Sequence, residues 1–164
     1  KTLIPFRRRR LAQATPERVR LGNTGFSIDV PPAMQLERAS ASGDTQTFSY
    51  GSLEQNPIRL VVVVRKLPRA IPTDELEGAL GTLRAALEGS EDKAFIRDGA
   101  PRIEKINGRK VIAVEGRYQN RIQLKLWSAL TENHELLVRV YSLPHRLTAW
   151  EKLEDGFIKT LRAE

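Results

Sequence analysis

The residues that could perform catalysis are few and lie far apart in the sequence. His134 and His145 are the two histidines, one in a predicted hairpin turn and one just after a predicted strand. No carboxylate accompanies them at the spacing of a metal site, so the pattern favours solvated loop histidines. Four aspartates that could act as general acids or bases lie in different predicted elements: Asp29, Asp44, Asp98 and Asp155. An acid–base pair would have to be assembled by the fold.

Sequence motifs for nucleophiles and phosphate binding are also missing. Ser128 and Ser142 fall within strand patterns and lack the glycine-flanked turn of a nucleophile elbow. Gly22 and Gly25 are followed by the strand-like segment FSIDV, which is not a phosphate-binding or dinucleotide-binding pattern. The chain has no cysteine, which excludes disulfides, thiolate catalysis and cysteine-bound zinc or iron–sulfur centres. We therefore expect a protein that is not an enzyme and holds no metal or other cofactor.

Positive charge is concentrated at the start of the chain. Seven basic residues stand against the single acid Glu17 in residues 1–20: Lys1, Arg7, Arg8, Arg9, Arg10, Arg18 and Arg20. They contribute +6 to a net charge of +7, so the remaining 144 residues carry only +1. We expect a basic arm over residues 1–18 whose arginines, together with Arg20, contact an acidic protein face or another anionic surface. A solvated tail without such a contact is the alternative.

Length and composition indicate one globular domain over residues 19–164. A chain of 164 residues can bury a core without disulfides, and 40% hydrophobic with 29% charged residues is typical of a folded protein. No apolar run approaches the roughly 18 residues that a membrane span needs. The start KTLIPFRRRRLAQ lacks the hydrophobic region of a secretory signal. We expect a cytoplasmic protein if Lys1 is near the native start, and otherwise an exported one, in the periplasm or thylakoid lumen, after loss of an upstream signal.

Alternating apolar residues predict short strands before the first helix. The segment VRLGNTGFSIDV predicts a hairpin that turns at residues 23–25, with Phe26, Ile28 and Val30 on one face of its second strand. Residues 39–45 read as a turn cluster, and residues 45–50 as the next strand. RLVVVVRK, residues 59–66, is apolar on both faces, as in a strand covered on both sides of its sheet.

Two amphipathic helices are predicted. In residues 73–87 leucines recur at helical spacing, with Thr73 as the predicted N-cap and Gly89 as the stop. In residues 148–161, Thr148 and Glu151 form a capping box. An apolar stripe follows that box: Trp150, Leu153, Phe157 and Leu161. Such stripes become buried when the helices pack on a sheet.

Residues 102–143 predict consecutive antiparallel strands with short connections. Asn107-Gly108 is a strong hairpin signal, because both central residues of a type I′ turn need positive φ. Further along, Trp127 shares one strand face with Gln123 and Lys125. If a second layer covers this face, as is usual for such a pattern, Trp127 is a core residue. If the face is open, the three side chains form a partner-binding surface with an aromatic anchor.

The order of the elements predicts an α+β protein in which helices sandwich an antiparallel sheet. The order of the elements and several short sequence segments resemble the PsbP-like superfamily. The similar segments are TGFSIDVPPAMQ, RLVVVVRKLP, PTDELEGAL, INGRKVIAVEGRY, LWSALTENHELLVRVYS and WEKLEDGFIKTL, over about residues 19–162. That superfamily groups extrinsic photosystem II proteins of the PsbP type, bacterial DcrB-like proteins, the Eag chaperones of type VI secretion and a Ran-binding import factor. The resemblance implies a protein that binds other proteins and does not catalyse.

The expected function is that of a non-catalytic accessory protein, docked on a larger, membrane-associated protein assembly through its domain surface and its basic arm. One alternative is a DcrB/Eag-type chaperone, in which an open sheet face shelters apolar helices of type VI secretion effectors. Another is binding of nucleic acid or anionic lipid through residues 7–10, with an affinity that falls steeply with salt. Nucleic acid ranks below protein docking, because the body is nearly neutral and its aromatic residues fall on strand faces. The oligomeric state stays open.

Overall fold

The structure is a computed structural model that describes residues 17–30, 34–52, 59–89, 93–119, 121–142 and 158–163. In these ranges it contains eleven strands and one α-helix. The strands are β1 (Glu17–Arg20), β2 (Phe26–Val30), β3 (Met34–Ser42), β4 (Thr45–Ser52), β5 (Arg59–Lys66), β6 (Phe95–Arg97), β7 (Arg102–Ile106), β8 (Arg109–Tyr118), β9 (Ile122–Leu130), β10 (His134–Ser142) and β11 (Arg162–Ala163). The helix is α1 (Leu76–Gly89), which follows a 3₁₀ turn at Thr73–Glu75, and a second 3₁₀ turn, Ile158–Thr160, precedes β11.

Two sheets form the framework. The large sheet has the strand order β3-β4-β5-β10-β9-β8-β6, and β7 also pairs with β8. The small sheet has the order β1-β2-β11. All the pairings within the described ranges are antiparallel. The predicted α+β class, built on an antiparallel sheet, is confirmed.

The main core lies between the two sheets. Successive side chains of a strand point to opposite faces of its sheet, and in β5 Leu60, Val62 and Val64 are the buried set. They belong to one cluster with Phe26 and Ile28 of the small sheet. On the outer face of β5, residues 61 and 63 are half-buried. The prediction that β5 is apolar on both faces therefore corresponds to one fully and one partly covered face.

The outer face of the large sheet is covered in part by α1. Leu80 of the helix packs against Ile112 and Val114 of β8, with Leu83 and Leu87 beside them. The leucine stripe predicted from helical spacing is thus the packing face of α1, which contacts β8 and β9. On the inner face the described layer is the small sheet. The second predicted helix, residues 148–161, lies mostly outside the described residues, and its last part is the 3₁₀ turn before β11.

The turn between β7 and β8 has the predicted form. Asn107 and Gly108 have φ of 50° and 76°, the positive values that a type I′ turn requires. The register runs from Ile106↔Arg109 to Arg102↔Ala113. This register places alternate residues of β8, including Val111, on the inner face of the large sheet. Arg109 has the same parity as Val111 and therefore belongs to the same face.

The prediction of a turn at residues 39–45 is wrong in extent. Residues 39–42 continue β3, and the turn consists of Gly43 and Asp44. After Met34, every residue of β3 is exposed. A strand without a buried face shows no apolar alternation, which is the signal that sequence analysis uses to detect strands. A bulge between Leu36 and Arg38 interrupts its pairing with β4 as well.

The predicted N-cap of the first helix is also wrong. Pro72 occupies the N-cap position, with φ of −55° and ψ of 146°, and no side chain caps this end. The Thr73 hydroxyl instead donates to the Glu132 carboxylate in the loop between β9 and β10. Hydrogen bonds to an ionised acceptor are stronger than those between neutral groups, so the loop carboxylate competes well for the hydroxyl.

The folded part of the chain includes residues that were assigned to the basic arm. Glu17 and Arg18 lie in β1, which pairs with β2 from Glu17↔Val30 to Arg20↔Ser27. These two residues of the predicted arm are thus part of the small sheet. Within the described ranges, no helix is long and apolar enough to cross a membrane.

Candidate functional site

The six arginines of the predicted arm fall into two groups. Arg7, Arg8, Arg9 and Arg10 lie outside the described residues. Arg20 is exposed on β1. Arg18, also on β1, has internal partners, because one of its nitrogens lies 2.8 Å from the Asp29 Oδ1 atom. Its Nη1 donates to the Ser27 hydroxyl at 3.0 Å and to the Thr160 carbonyl at 3.2 Å.

These contacts give Arg18 a structural role. It joins β1 to β2 and to the turn that leads into β11, so one side chain spans the whole small sheet. The Thr160 hydroxyl accepts a hydrogen bond from the Asp29 amide at 2.8 Å, which reinforces the same junction. Partner binding by Arg20 and by the arginines at positions 7–10 stays a prediction.

The proposed sheet-face residues are mostly inside the protein. Trp127 is only 2% exposed and belongs to the main core, which is the outcome expected for a covered face. Lys125 is 6% exposed, and its ammonium lies 4.8 Å from the centre of the Trp127 ring, a cation–π distance. Gln123 is half-buried. Neither Trp127 nor Lys125 is available as a surface anchor.

A chain of charges continues from Lys125 toward the edge of the sheet. Lys125 Nζ lies 3.3 Å from Glu115 Oε1, and Arg102 Nη2 lies 3.2 Å from the same oxygen. Arg102 also contacts Glu104 at 3.0 Å. Burial alone would raise the pKa of the Glu115 carboxyl, but Lys125 and Arg102 outweigh burial and hold that pKa below its ordinary value. The Glu115 carboxylate thus links three strands as an anion.

A cavity of about 490 Å³ opens on the inner face of the large sheet. Its described walls come from both sheets and from the β7–β8 turn: Phe26, Ile106, Asn107, Arg109, Val111, Trp127, Ala129, Leu136, Val138, Leu161, Arg162 and Ala163. Its volume lies within the usual range for small-molecule sites, about 300–1,000 Å³. The Trp127 indole N–H is buried without a hydrogen-bond acceptor among the residues that the structure describes. Most of the described lining residues are apolar, and Asn107, Arg109 and Arg162 are the charged or amide residues among them.

None of the candidate catalytic groups that the structure describes, which are His134, Asp29, Asp44 and Asp98, lines this cavity. His134 begins β10, and its ring packs edge-to-face against Phe26, with centroids 5.9 Å apart and planes at 82°. It is therefore a packing residue, not the loop residue that the sequence suggested. His145 lies outside the described residues. Asp29 is engaged by Arg18. In the described part of the chain, no group of three histidine, aspartate or glutamate side chains is close enough together to bind a metal.

Sequence reasoning missed the cavity and did not single out Arg109, a basic residue in its wall. A signal was available, because Arg109 precedes Val111 by two positions and must share its inward face once the hairpin register is known. What could not be read from the sequence was the space left beside Trp127. That space depends on how closely the residues around β11 approach the large sheet.

The sequence matches no protein-family model and no curated protein. Among solved structures, the cyanobacterial PsbP of Synechocystis sp. PCC 6803, CyanoP, superposes with a TM-score of 0.60 at 13% identity, covering 92% of this chain and 94% of that chain. LpqN of Mycobacterium tuberculosis, which is involved in cell envelope biogenesis, superposes with a TM-score of 0.58 at 14% identity, covering 93% of each chain. A protein of Bacteroides thetaiotaomicron VPI-5482 gives a TM-score of 0.59 at 13% identity, and this chain spans 49% of that longer chain.

Proposed function

We propose that this chain, which has a PsbP-like fold, is a non-catalytic accessory protein. Its folded domain docks on a larger, membrane-associated protein assembly, and its basic arm contacts an acidic surface there. The observation that carries the proposal is the division of charge. Residues 1–20 hold +6 of the net +7, whereas the body is nearly neutral. A concentrated cluster of one sign attracts a complementary surface and steers the approach to it.

The position of β1 supports this role for the arm. β1 is an edge strand of the small sheet, and Arg18 fixes it to Asp29 and to the Thr160 carbonyl. The chain that precedes Glu17 therefore leaves from a strand held by side-chain contacts. When the domain docks, a cluster joined covalently to it acts at a raised effective concentration at the partner.

The fold likeness adds support of a different kind. CyanoP and LpqN share the architecture over more than nine-tenths of this chain. LpqN is described as involved in cell envelope biogenesis, a setting in which an accessory protein would meet membrane-associated partners. At 13–14% identity the likeness shows the fold alone. The accessory role of this chain is our proposal.

The test is a charge-removal experiment on the full chain. Arg7, Arg8, Arg9 and Arg10 are replaced together by glutamine, and the native complex is isolated by affinity purification in roughly 0.15 M salt, where exposed charges more than about 8 Å apart are largely screened. We expect the variant to recover much less partner than the wild type does. Raising the salt concentration should weaken capture by the wild type in the same way.

The matched control removes the same number of charges from the body. Four exposed arginines are replaced by glutamine: Arg38, Arg69, Arg117 and Arg121. This control should retain the partner. Equal recovery by the arm variant and the wild type, at matched salt, would show that the arm has no docking role. Equal loss in both variants would show that net charge matters and its location does not.

A second candidate function, a chaperone that shelters apolar helices, is favoured by the outer face of the large sheet. Val61, Val63 and Leu137 are half-buried there, while α1 packs on β8 and β9. The register places Val63 opposite Leu137, so the apolar side chains are contiguous. A chaperone role predicts that Val63→Gln with Leu137→Gln abolishes capture of an apolar helical peptide. Accessory docking through the arm would be unaffected by that pair.

A further inference from the structure

Arg109 occupies an unusual electrostatic position at the wall of the cavity. It is the first residue of β8, it is half-buried, and its Nη1 donates to the Leu130 carbonyl at 3.1 Å. Within the described ranges it has no carboxylate within salt-bridge distance. A guanidinium has five N–H donors, so most of its hydrogen-bonding capacity remains unused there. Partial burial of an unpaired cation is unfavourable, and an anion would relieve it.

The rest of the cavity wall fits an anion with an apolar body. None of the described lining residues is acidic. Trp127, Leu136 and Val138 provide a buried apolar surface beside the Arg109 guanidinium. Two smaller cavities, of about 390 and about 200 Å³, also have Arg109 in their walls. Arg109 is thus the polar group that these spaces share.

The β11 side of the cavity is held in place by the hairpin turn. The Asn107 side-chain amide donates to the Lys159 carbonyl and, at 2.9 Å, to the Leu161 carbonyl. These bonds attach residues 159–161 to the β7–β8 turn, beside the strand that carries Arg109. The cavity is consequently bounded by elements linked through backbone and amide hydrogen bonds, as preformed small-molecule sites are.

From these contacts we propose that the cavity binds a small organic carboxylate with an apolar body. The carboxylate pairs with Arg109, in the bidentate geometry that guanidinium and carboxylate favour. The apolar body lies against Trp127, Leu136 and Val138. This site is separate from the docking role of the arm, so either proposal can fail without the other.

The first experiment uses the full wild-type chain and two probes of equal chain length, octanoate and 1-octanol. Two-dimensional NMR follows the indole N–H signals of Trp127 and Trp150, distinguished with the variant Trp150→Phe. Titration to about 1 mM covers weak binding. Octanoate should shift the Trp127 signal to saturation, and 1-octanol should bind at least about tenfold more weakly, because it lacks the charge that Arg109 pairs with.

The second experiment compares two arginines of the same strand. Arg109→Gln should weaken octanoate binding by at least about tenfold, the loss of one charge-assisted interaction. Arg117→Gln is the matched control, because Arg117 is exposed on β8 and is not part of the cavity wall. It should bind octanoate as the wild type does.

Several results would overturn the site. The first is equal affinity for octanoate and 1-octanol, and the second is a Trp127 signal that does not move. The third is octanoate binding by Arg109→Gln within about twofold of the wild type, because loss of one charge-assisted interaction weakens binding by more than that. If Arg109→Gln does not fold, the octanoate and 1-octanol comparison on the wild type decides alone. A shift confined to Trp150 would place binding elsewhere and also overturn the proposal.

Discussion

Glu115 illustrates how one side chain can connect several strands at the residue scale. The register of β8 and β9 places Glu115 directly opposite Lys125, and opposite charges at such cross-strand positions stabilise the pairing. Arg102 of β7 reaches the same carboxylate oxygen. The ammonium of Lys125 can be almost fully buried because Glu115 balances its charge and the Trp127 ring faces it.

This arrangement predicts a contribution of Glu115 to acid stability. The folded pKa of Glu115 is lowered from 4.5, so its ion pairs stabilise the fold fully above that value and are lost as the pH falls through the lower, folded pKa. The variant Glu115→Gln should therefore be less stable than the wild type at neutral pH. It should also lose less stability on acidification from about pH 5 to about pH 3.

Urea unfolding at a series of pH values measures this difference. Glu88→Gln is the control, because the Glu88 side chain is exposed and has no ion pair among the described residues. The control should follow the wild-type curve. A pKa shift of one unit changes the free energy of unfolding by about 1.36 kcal/mol. If that free energy falls as steeply between pH 5 and pH 3 in Glu115→Gln as in the wild type, the carboxylate does not make this contribution.

At the scale of elements, the approach of β6 to β8 depends on Gly116. A methyl group added there would lie 2.3 Å from the Ile96 carbonyl oxygen and 2.8 Å from the Phe95 ring. The first of these atoms is backbone and cannot rotate away. We expect Gly116→Ala to displace β6 and to destabilise the protein by about 1–3 kcal/mol, as overpacked core sites do.

Gly81→Ala is the matched control for that substitution. Gly81 is exposed in α1, and an added methyl group meets no atom within 4 Å. Replacing it should raise the free energy of unfolding by roughly 0.5–1 kcal/mol, because glycine disfavours the interior of a helix. Urea denaturation curves compare both variants with the wild type. Equal stability of Gly116→Ala and the wild type would mean that β6 does not pack as described.

Elements with a buried face could be predicted from sequence, and elements without one could not. The leucine stripe of α1, the four valines of β5 and the Asn107-Gly108 turn each carry a local signal that tertiary packing preserved. Residues 39–42 of β3 were assigned to a turn because the exposed residues of this strand show no alternation. β6 has three residues, too few for a period to be recognised. The N-cap at Thr73 failed because its hydroxyl is engaged by Glu132, a residue from a distant loop.

The candidate site was less predictable than the fold. Alternation placed Trp127 and Lys125 on one strand face but left open whether that face is covered, and the ion pairs of Lys125 depend on the register between β8 and β9. Arg18 was assigned to the arm on charge alone, although its partners Asp29 and Thr160 become neighbours only through pairing across the small sheet. Charge patterns locate basic residues in the sequence, but not the partners that the fold brings to them.

For the whole molecule, the division between arm and body makes a prediction about stability. The described strands begin at Glu17, and the main core consists of residues beyond it. A protein that lacks residues 1–16 should therefore keep its circular dichroism spectrum, and its melting temperature should change by no more than about 2 °C, the effect of less than 1 kcal/mol for a domain of this size. It should also elute earlier from a cation exchanger, since five basic residues are removed: Lys1, Arg7, Arg8, Arg9 and Arg10.

Arg18→Ala in the full chain provides the contrast. It should lower the free energy of unfolding by about 1–2 kcal/mol, because the variant loses hydrogen bonds to Ser27 and Thr160 and leaves Asp29 without this partner. Thermal melts of the two variants, run side by side, separate an arm that serves binding from a strand that serves folding. A large loss of melting temperature on removal of residues 1–16 would show that the body depends on the arm.

The bulge in β3 has a further consequence for how the protein behaves at high concentration. β3 is the terminal strand of the large sheet as described, so it pairs with β4 on one side alone. If it were straight, the free edge of this nine-residue strand could recruit the same strand of another molecule and begin a fibril. The register shift between Leu36 and Arg38 leaves Glu37 as the extra residue, so the edge is bent where a neighbouring molecule would have to align. Deleting Glu37 would straighten this edge, and the protein would then have less protection against edge-to-edge polymerisation.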